Sequence, residues 1–491
     1  MKESCRVVAS HVNTGTAKSA GSSSGTQGRE FRHPKLSVTA EKSDGTPYGG
    51  LSLAQSLSRV LRIPSRIDSG MSVLHSYRPY RDSDHILTHV YNLFIGGSAI
   101  EDIGYLQGSE AVCRMLGTKR IPDPTTAGDF LRRFGHQELR DFQHVIDEIH
   151  LEVWRRAYGR KKQSIACVDL DSHIHGVYGE KKEGADFTYD KRYGYHPLIV
   201  SLSGTGEVLR AVNRPGNSYS SDGAVEEVEE LLPMLESRFQ KILVRGDTAF
   251  AERELYDLLE ENGHYFAICQ SNHDLLQCIA EEAGEKEWKP LKRGTAAQPQ
   301  KKRKRKKNLR RATARKRGKR DLKLLKEEVT EAVYQPFRSE FDYRLIMIRK
   351  QVEESHQGQL FTHYRYRFIL TNLPEQVSPA EVVRLTYERC DQENVIEQLK
   401  NGISGMRMPT GSLAANAAYL ICARLAHNLK SWLCMLALPK EVIRWQWKRF
   451  RMAYVYFSAR VIWKARQTLV RVSDAHRFSS QITRAFARLQ I

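Results

Sequence analysis

Hydrophobic and polar positions divide the chain into stretches of different period. Helical spacing marks HILTHVYNLFIGG from His85 and FQHVIDEIHLEVWRRAY from Phe142. Between them, IPDPTTAGDFLRRFG reads as a short helix opened by Pro-Thr-Thr. Such a basic helix could enter a DNA groove or serve only as a member of a bundle. The period then shortens. SIACVDLD (Ser164 to Asp171), HPLIVSLS from His196 and EVLRAVNR from Glu207 are β-rich, the last two joined by the turn signal SGTG. GAVEEVEELLPMLESRF is helical, KILVRGD (Lys241 to Asp247) a strand, ERELYDLLEENG a helix stopped at Gly263, and YFAICQ a further strand. HIHGVYG extends the first strand or begins a hairpin. Residues 164 to 270 therefore read β-β-β-α-β-α-β, a mixed sheet covered by helices.

Two more β-like segments, YRLIMIRK and YRFILTNL, follow a long interruption. Helix resumes at Ser378, where SPAE offers a Ser cap, a first-turn Pro and a Glu three residues on. It is expected to continue through YERCDQENVIEQLKNG to Gly402, and the tail from Asn416 is expected to be helical. The divisions are then a disordered tail over 1–48, a helical N-terminal domain over 49–160 and a first core part over 161–275. An insertion over 276–376, a second core part over 377–430 and a helical C-terminal region over 431–491 follow.

Charge adds a partner to this picture. Lys and Arg number 77 against 57 acids, a net charge of +20. Fourteen of those cations fall between Lys301 and Arg320, with no acid among them, which leaves +6 on the rest. The simplest reading of such a run is a solvated loop, and a flexible basic loop can still grip phosphates without reading sequence. The eight cysteines form no CxxC pair, so zinc spacing is missing and a disulfide framework is not expected. No secretory signal and no apolar run of about 20 residues is found. The expected setting is cytoplasmic, in association with the nucleoid and without a membrane.

Three carboxylates sit where phosphoryl transfer would want them. Asp171 ends the first strand, Asp247 ends another, and Glu393 lies on the helix after Ser378. Asp169 rivals Asp171, being two residues away on the same strand face. Asp247 could equally be an N-cap. Arg389, Glu393, Glu397 and Lys400 fall near one helix face, which spacing alone explains as an exposed helix laced with ion pairs.

VDLDSH, RGDTAF and YERCDQENVIEQLK together resemble the DDE transposases of bacterial insertion sequences, group one, of the insertion-sequence family 1380 type. The helix is similar to their Tyr-Arg-Glu-Lys pattern through Tyr387, Arg389, Glu393 and Lys400, with one residue rather than two between Tyr387 and Arg389. GGSAIEDIGYL, PDPTTAGDFLRRF, GYHPLIVSLSGTGEVL and GNSYSSDGA strengthen the likeness over residues 85 to 430. The family's first Asp is usually followed by Ser or Thr and then Thr; here Ser172 is followed by His173, which keeps Asp169 in contention. The resemblance implies a ribonuclease H-like fold with a β-rich insertion between Asp247 and Glu393. It also implies two Mg²⁺ ions, with Mn²⁺ as a substitute, on Asp171, Asp247 and Glu393, and DNA contacts from Tyr387, Arg389 and Lys400. A homodimer would act on the inverted-repeat ends and the target DNA. A nuclease that cuts without joining, and a non-catalytic DNA-binding derivative, are the alternatives.

Overall fold

The computed structural model describes residues 37–39, 43–76, 79–179, 181–292, 321–356, 359–464 and 467–489. Most of the expected N-terminal tail and the basic run at 301–320 lie outside them. The described residues from Ser43 onward form one compact unit.

Its N-terminal part opens with a short strand, β1 (Gly45–Thr46), and seven helices: α1 (Leu51–Val60), α2 (Ile63–Gly70), α3 (Asp82–Ile95), α4 (Ile103–Gln107), α5 (Glu110–Leu116), α6 (Pro124–Leu131) and α7 (His136–Tyr158). The two long helical patterns in the sequence are α3 and α7. Gly96, at φ +100°, ends α3 in the left-handed conformation a C-cap requires. Asp123 caps α6, accepting from the Thr126 backbone at 3.0 Å and its hydroxyl at 2.6 Å. Ala127, Phe130 and Leu131 of α6 are buried, with the His85 ring of α3 stacked on Phe130 at 4.4 Å. That apolar face makes α6 a member of the bundle.

The chain then enters β2 (Gln163–Ser172) and a small three-stranded sheet of β3 (His175–Gly176), β4 (Asp186–Phe187) and β5 (Tyr193–Tyr195), in the order β3-β5-β4. HIHGVYG thus begins a separate sheet. Next come β6 (Leu198–Leu202), β7 (Glu207–Val212), α8 (Ala224–Glu236), β8 (Phe239–Gly246), α9 (Arg253–Glu261), β9 (Tyr265–Gln270) and α10 (Asp274–Glu282). Within the main sheet these strands stand in the order β7-β6-β2-β8-β9. β2, β6 and β7 pair antiparallel, whereas β2, β8 and β9 are parallel neighbours. The first three strands fold as a meander, and the fourth and fifth are added on the other side of the first. This is the ribonuclease H-like order that the β-β-β-α-β-α-β reading implies.

The sheet continues through β10 (Lys289–Pro290), β11 (Asp321–Tyr334), β12 (Tyr343–His356) and β13 (Gln359–Thr371). β13 joins β9 only through Phe368–Thr371. The rest of β13 runs with β12 past the edge of the core as a long ribbon. The β-rich insertion is therefore an extension of the core sheet.

Alternation decides which strand residues meet which layer. Ala166, Val168, Leu170, Ile242, Val244, Phe266 and Ile268 join the main core, while Leu243, Ala267, Ile346, Ile348 and Ile369 form a second cluster on the other face. Helix α11 (Pro379–Tyr387) covers that second face with Val382 and Val383. Its Ser378 caps it as the SPAE reading expects.

One continuous helix to Gly402 was expected; the chain instead breaks it twice. After α11, the Arg389 amide donates to the Thr386 carbonyl and the Gln392 amide to the Arg389 carbonyl, each three residues back rather than four. That tightening separates α11 from α12 (Cys390–Glu397). Beyond α12, Gln398–Gly402 is a π-turn, closed by Ile403 donating to the Gln398 carbonyl five residues back. α13 (Leu413–Leu436) is buried almost throughout.

The tail departs from the helical expectation. After α14 (Trp447–Tyr454), β14 (Ala459–Lys464) pairs with both β1 and β15 (Gln467–Val472), and α15 (Ser479–Leu489) is the last described element. Alternation in ARVIWK and QTLVRV favours strand, and β1 supplies a partner that sequence cannot show. Among the described residues no helix is long and apolar enough to cross a membrane.

Candidate active site

The face of the sheet under α11 and α12 carries the polar residues singled out from the sequence. Asp169 and Asp171 point to this face from β2. Asp169 stands opposite Arg245 in the parallel register with β8, so Asp171 and Asp247 follow two residues later at neighbouring strand ends. There the backbone leaves the sheet and the crevice begins.

The two candidates for the first aspartate differ in environment. Asp169 is buried, with both oxygens taken by the Arg245 guanidinium at 2.7 and 2.9 Å. Arg245 in turn donates to the Leu385 carbonyl of α11 at 2.6 Å. Asp171 is 20% exposed and faces Arg389, 3.7 Å away. Its oxygen Oδ1 accepts from the Ser172 amide at 2.8 Å. Burial pushes its carboxyl up to about 6; Arg389 pulls it down, while Asp247 and Glu393 push it further up. Asp171 thus feels the negative charge of both Asp247 and Glu393.

Asp247 does act as an N-cap, accepting from the Ala249 amide at 2.9 Å through Oδ1. Its position at the strand end still places it on a cavity of about 590 Å³ that Glu393, Arg389 and Tyr387 also line. Tyr387 accepts a hydrogen bond from Arg367 of β13 at 3.3 Å. The cavity therefore lies between the core sheet, the two helices and the start of the ribbon.

The neighbour of Glu393 has a role that sequence reading missed. Gln392 is buried, and its amide donates to the carbonyls of Asp169 at 2.8 Å and Ile199 at 3.0 Å. It pins the first turn of α12 to β2 and β6, which fixes where Glu393 projects. A signal existed: Gln392 shares the i, i+3, i+4, i+7 stripe with the buried Val395, Ile396 and Leu399. A polar residue in an apolar stripe needs partners, and here they are sheet carbonyls.

Lys400 does not join this cavity. The π-turn carries it to a neighbouring pocket, where its ammonium meets His173 Nε2 at 3.2 Å. Tyr387, Arg389, Glu393 and Asp247 are brought together, Asp171 stands against Arg389, and Lys400 stands beyond His173.

The donor chemistry suits a hard divalent cation, since carboxylate oxygens are what Mg²⁺ takes from proteins. Among the described residues no three acidic, His or Cys side chains are already gathered at ligand distance. Arg389 supplies the local positive charge against Asp171.

Residues 31–491 match the family described as transposase DDE domain, group 1. The chain is also similar to a solved structure, a cryo-EM structure of the piggyBac transposase synaptic complex with hairpin DNA. That likeness has a TM-score of 0.36 at 10% identity over 82% of each chain, too low to bear on the site. No curated protein matches the chain.

Proposed function

Because the chain belongs to the transposase DDE domain family, group 1, we propose that it cuts the inverted-repeat ends of its own element and joins them to target DNA. The observation that supports this reading is that Asp171 and Asp247 end neighbouring parallel strands, while Asp247 and Glu393 line one cavity. Water attacks the phosphodiester at each end, the P–O3′ bond breaks, and the 3′ oxygen leaves as a hydroxyl. That hydroxyl then attacks a phosphate of the target, so the target strand breaks where the new bond forms.

Asp171, Asp247 and Glu393 would hold two Mg²⁺ ions, with Mn²⁺ able to substitute. Such ions, when bound, activate the attacking oxygen and stabilise the leaving one. Asp169 is assigned to structure, because its charge is spent on Arg245. Arg389 offsets the negative charge around Asp171 and would contact a DNA phosphate near the cut. Tyr387 and Arg367 line the same cavity and orient the strand near the cut, and Lys400 holds it further along. Gln392 keeps α12 seated while DNA enters. The chain would act as a homodimer, one subunit at each end, on nucleoid DNA in the cytoplasm.

Purified protein with DNA carrying the element's ends, a target plasmid and Mg²⁺ tests this. The expected products are ends with a free 3′-hydroxyl and then ends covalently joined to the plasmid. Cutting without any joining of precut ends would replace transposition with a nuclease activity. Binding with no cutting would leave only a DNA-binding role.

A further inference from the structure

The stretch GNSYSSDGA, Gly216 to Ala224, joins β7 to α8 and has no part in the reading above. Its backbone is gathered around one side chain, Arg214, which is only 6% exposed. All three guanidinium nitrogens are engaged. Nε donates to the His196 carbonyl at 2.9 Å, and Nη1 to the carbonyls of Asp222 and, at 3.2 Å, Ser220. Nη2 donates to the Ser220 carbonyl at 3.2 Å and to the Ser172 hydroxyl at 2.9 Å. Ser172 in turn donates its hydroxyl to that same Ser220 carbonyl at 2.6 Å.

The rest of the stretch fits this hub. Gly216 passes so close to the small sheet that a Cβ would collide with the Gly194 and Asp186 carbonyls, and its amide donates to the Gly184 carbonyl at 3.0 Å. The Ser218 carbonyl meets His196 Nδ1 at 2.9 Å, and the Asp222 carboxylate accepts from the Tyr219 amide at 2.8 Å. Gly223, at φ +75°, then turns the chain into α8.

A buried guanidinium is a destabilising way to hold a turn. None of these hydrogen-bond partners is a carboxylate, and burial pulls Arg214 down to about 10 despite the Asp222 charge nearby. An apolar side chain would carry no such desolvation penalty. What the guanidinium adds is reach: its planar fork touches the turn, the chain before β6 and the end of β2 at once. The end of β2 is where this matters. Ser172 follows Asp171, and the Ser172 amide donates to Asp171 Oδ1 at 2.8 Å. A shift of Ser172 therefore moves a hydrogen bond that orients the carboxylate.

We propose that Arg214 is a positioning residue for Asp171: it clamps Ser172 to the 216–222 turn, and Ser172 fixes the direction from which the Asp171 carboxylate would hold a divalent cation. The proposal rests on the reading above for the assignment of Asp171 to metal. Arg214 acts through Ser172 and takes no part in bond making.

The test titrates Mn²⁺ into the full-length, DNA-free protein and reads free Mn²⁺ by electron paramagnetic resonance. The site is defined by the Mn²⁺ that Asp171→Asn no longer binds. Arg214→Met and Ser172→Ala are each expected to weaken that Mn²⁺ by about tenfold or more, as removal of a partner that orients a metal ligand does. Because both act through one link, the double variant is expected to lose little more than either alone. Thermal melts give the folded fraction. A merely structural Arg214 would lower the melting temperature and leave the Mn²⁺ affinity of the folded protein unchanged. That result, or losses that simply multiply in the double variant, overturns the proposal. Should Arg214→Met not fold, Ser172→Ala decides alone, since it removes one hydroxyl and leaves the main-chain contacts of Arg214 in place. Wild-type Mn²⁺ affinity in Ser172→Ala then overturns the proposal. Absence of any Asp171-dependent Mn²⁺ in the wild type would overturn the metal assignment and the proposal together. Mn²⁺ weakened as expected, in a protein that never cuts DNA, would keep the proposal and remove the transposase reading.

Discussion

Asp169 and Arg245 form a buried two-point ion pair, at 2.7 and 2.9 Å, between neighbouring parallel strands directly beneath α11. Breaking such a pair from one side strands a charge away from water, at about 3–5 kcal/mol. Asp169→Asn is therefore expected to lower the urea midpoint by a matching amount. Removing both charges, in Asp169→Leu with Arg245→Met, is expected to recover much of the loss. A single variant as stable as the wild type would contradict the assignment of Asp169 to structure.

Asp171, two residues on, is expected to behave in the opposite way. Its carboxyl is raised to about 6 in the fold from an ordinary value of 3.8, chiefly by burial. A raised carboxyl contributes stability that is full below 3.8 and is lost as pH rises through 6. In the metal-free protein at pH 7.5, Asp171→Asn should thus stabilise, by at most about 3 kcal/mol at 1.36 kcal/mol per pKa unit. The gain should vanish below pH 3.8. Melting curves of the two proteins across pH measure it directly.

Much of this arrangement was legible in the sequence, and the exceptions have physical causes. The alternation of VDLD and KILVRGD gives the strands, and parity puts Asp169 and Asp171 on one face, but parity cannot separate them. What separates them is Arg245, a charge inside an otherwise apolar strand whose partner lies on a neighbour 76 residues away. The α11–α12 break leaves no mark in propensity, because no Gly or Pro stands at it, and Gly402 signals only the end of the π-turn at Gln398–Gly402, not where the widening begins. They shift Lys400 away from the face it would share with Glu393 on a continuous helix. The β14–β15 hairpin was hidden because its outer partner, β1, lies more than 400 residues earlier in the chain.

Gln392 offers a positional prediction. Gln392→Leu keeps much of the side-chain volume but strands two sheet carbonyls, at about 1–3 kcal/mol for each group left unpaired. The folded fraction should cut DNA about tenfold more slowly while KM for the DNA end changes little. Gln392→Asn, too short to reach both carbonyls, should fall between the two proteins. An unchanged kcat in Gln392→Leu would remove its role in seating α12.

Two buried histidines set an acid limit on the fold. Burial lowers His89 and His427 to about 4 from 6.5. A depressed histidine leaves stability full above 6.5, and the unfolded chain binds the proton first as pH falls toward 4. The melting temperature should therefore drop between pH 6.5 and 4. His89→Gln keeps a donor for the Ala127 carbonyl, which His89 Nε2 meets at 3.1 Å. It should reduce the drop; an identical pH dependence in this variant would contradict the assignment.

The central claim is that Asp171, Asp247 and Glu393 act together on a phosphodiester. Its most direct measurement is single-turnover cutting of end-labelled element DNA in Mg²⁺ by Asp171→Asn, Asp247→Asn and Glu393→Gln. The account predicts that each loses at least about a thousandfold in rate, some 4 kcal/mol of transition-state stabilisation, while DNA affinity stays within about threefold. Wild-type cutting by any one of the three would contradict it.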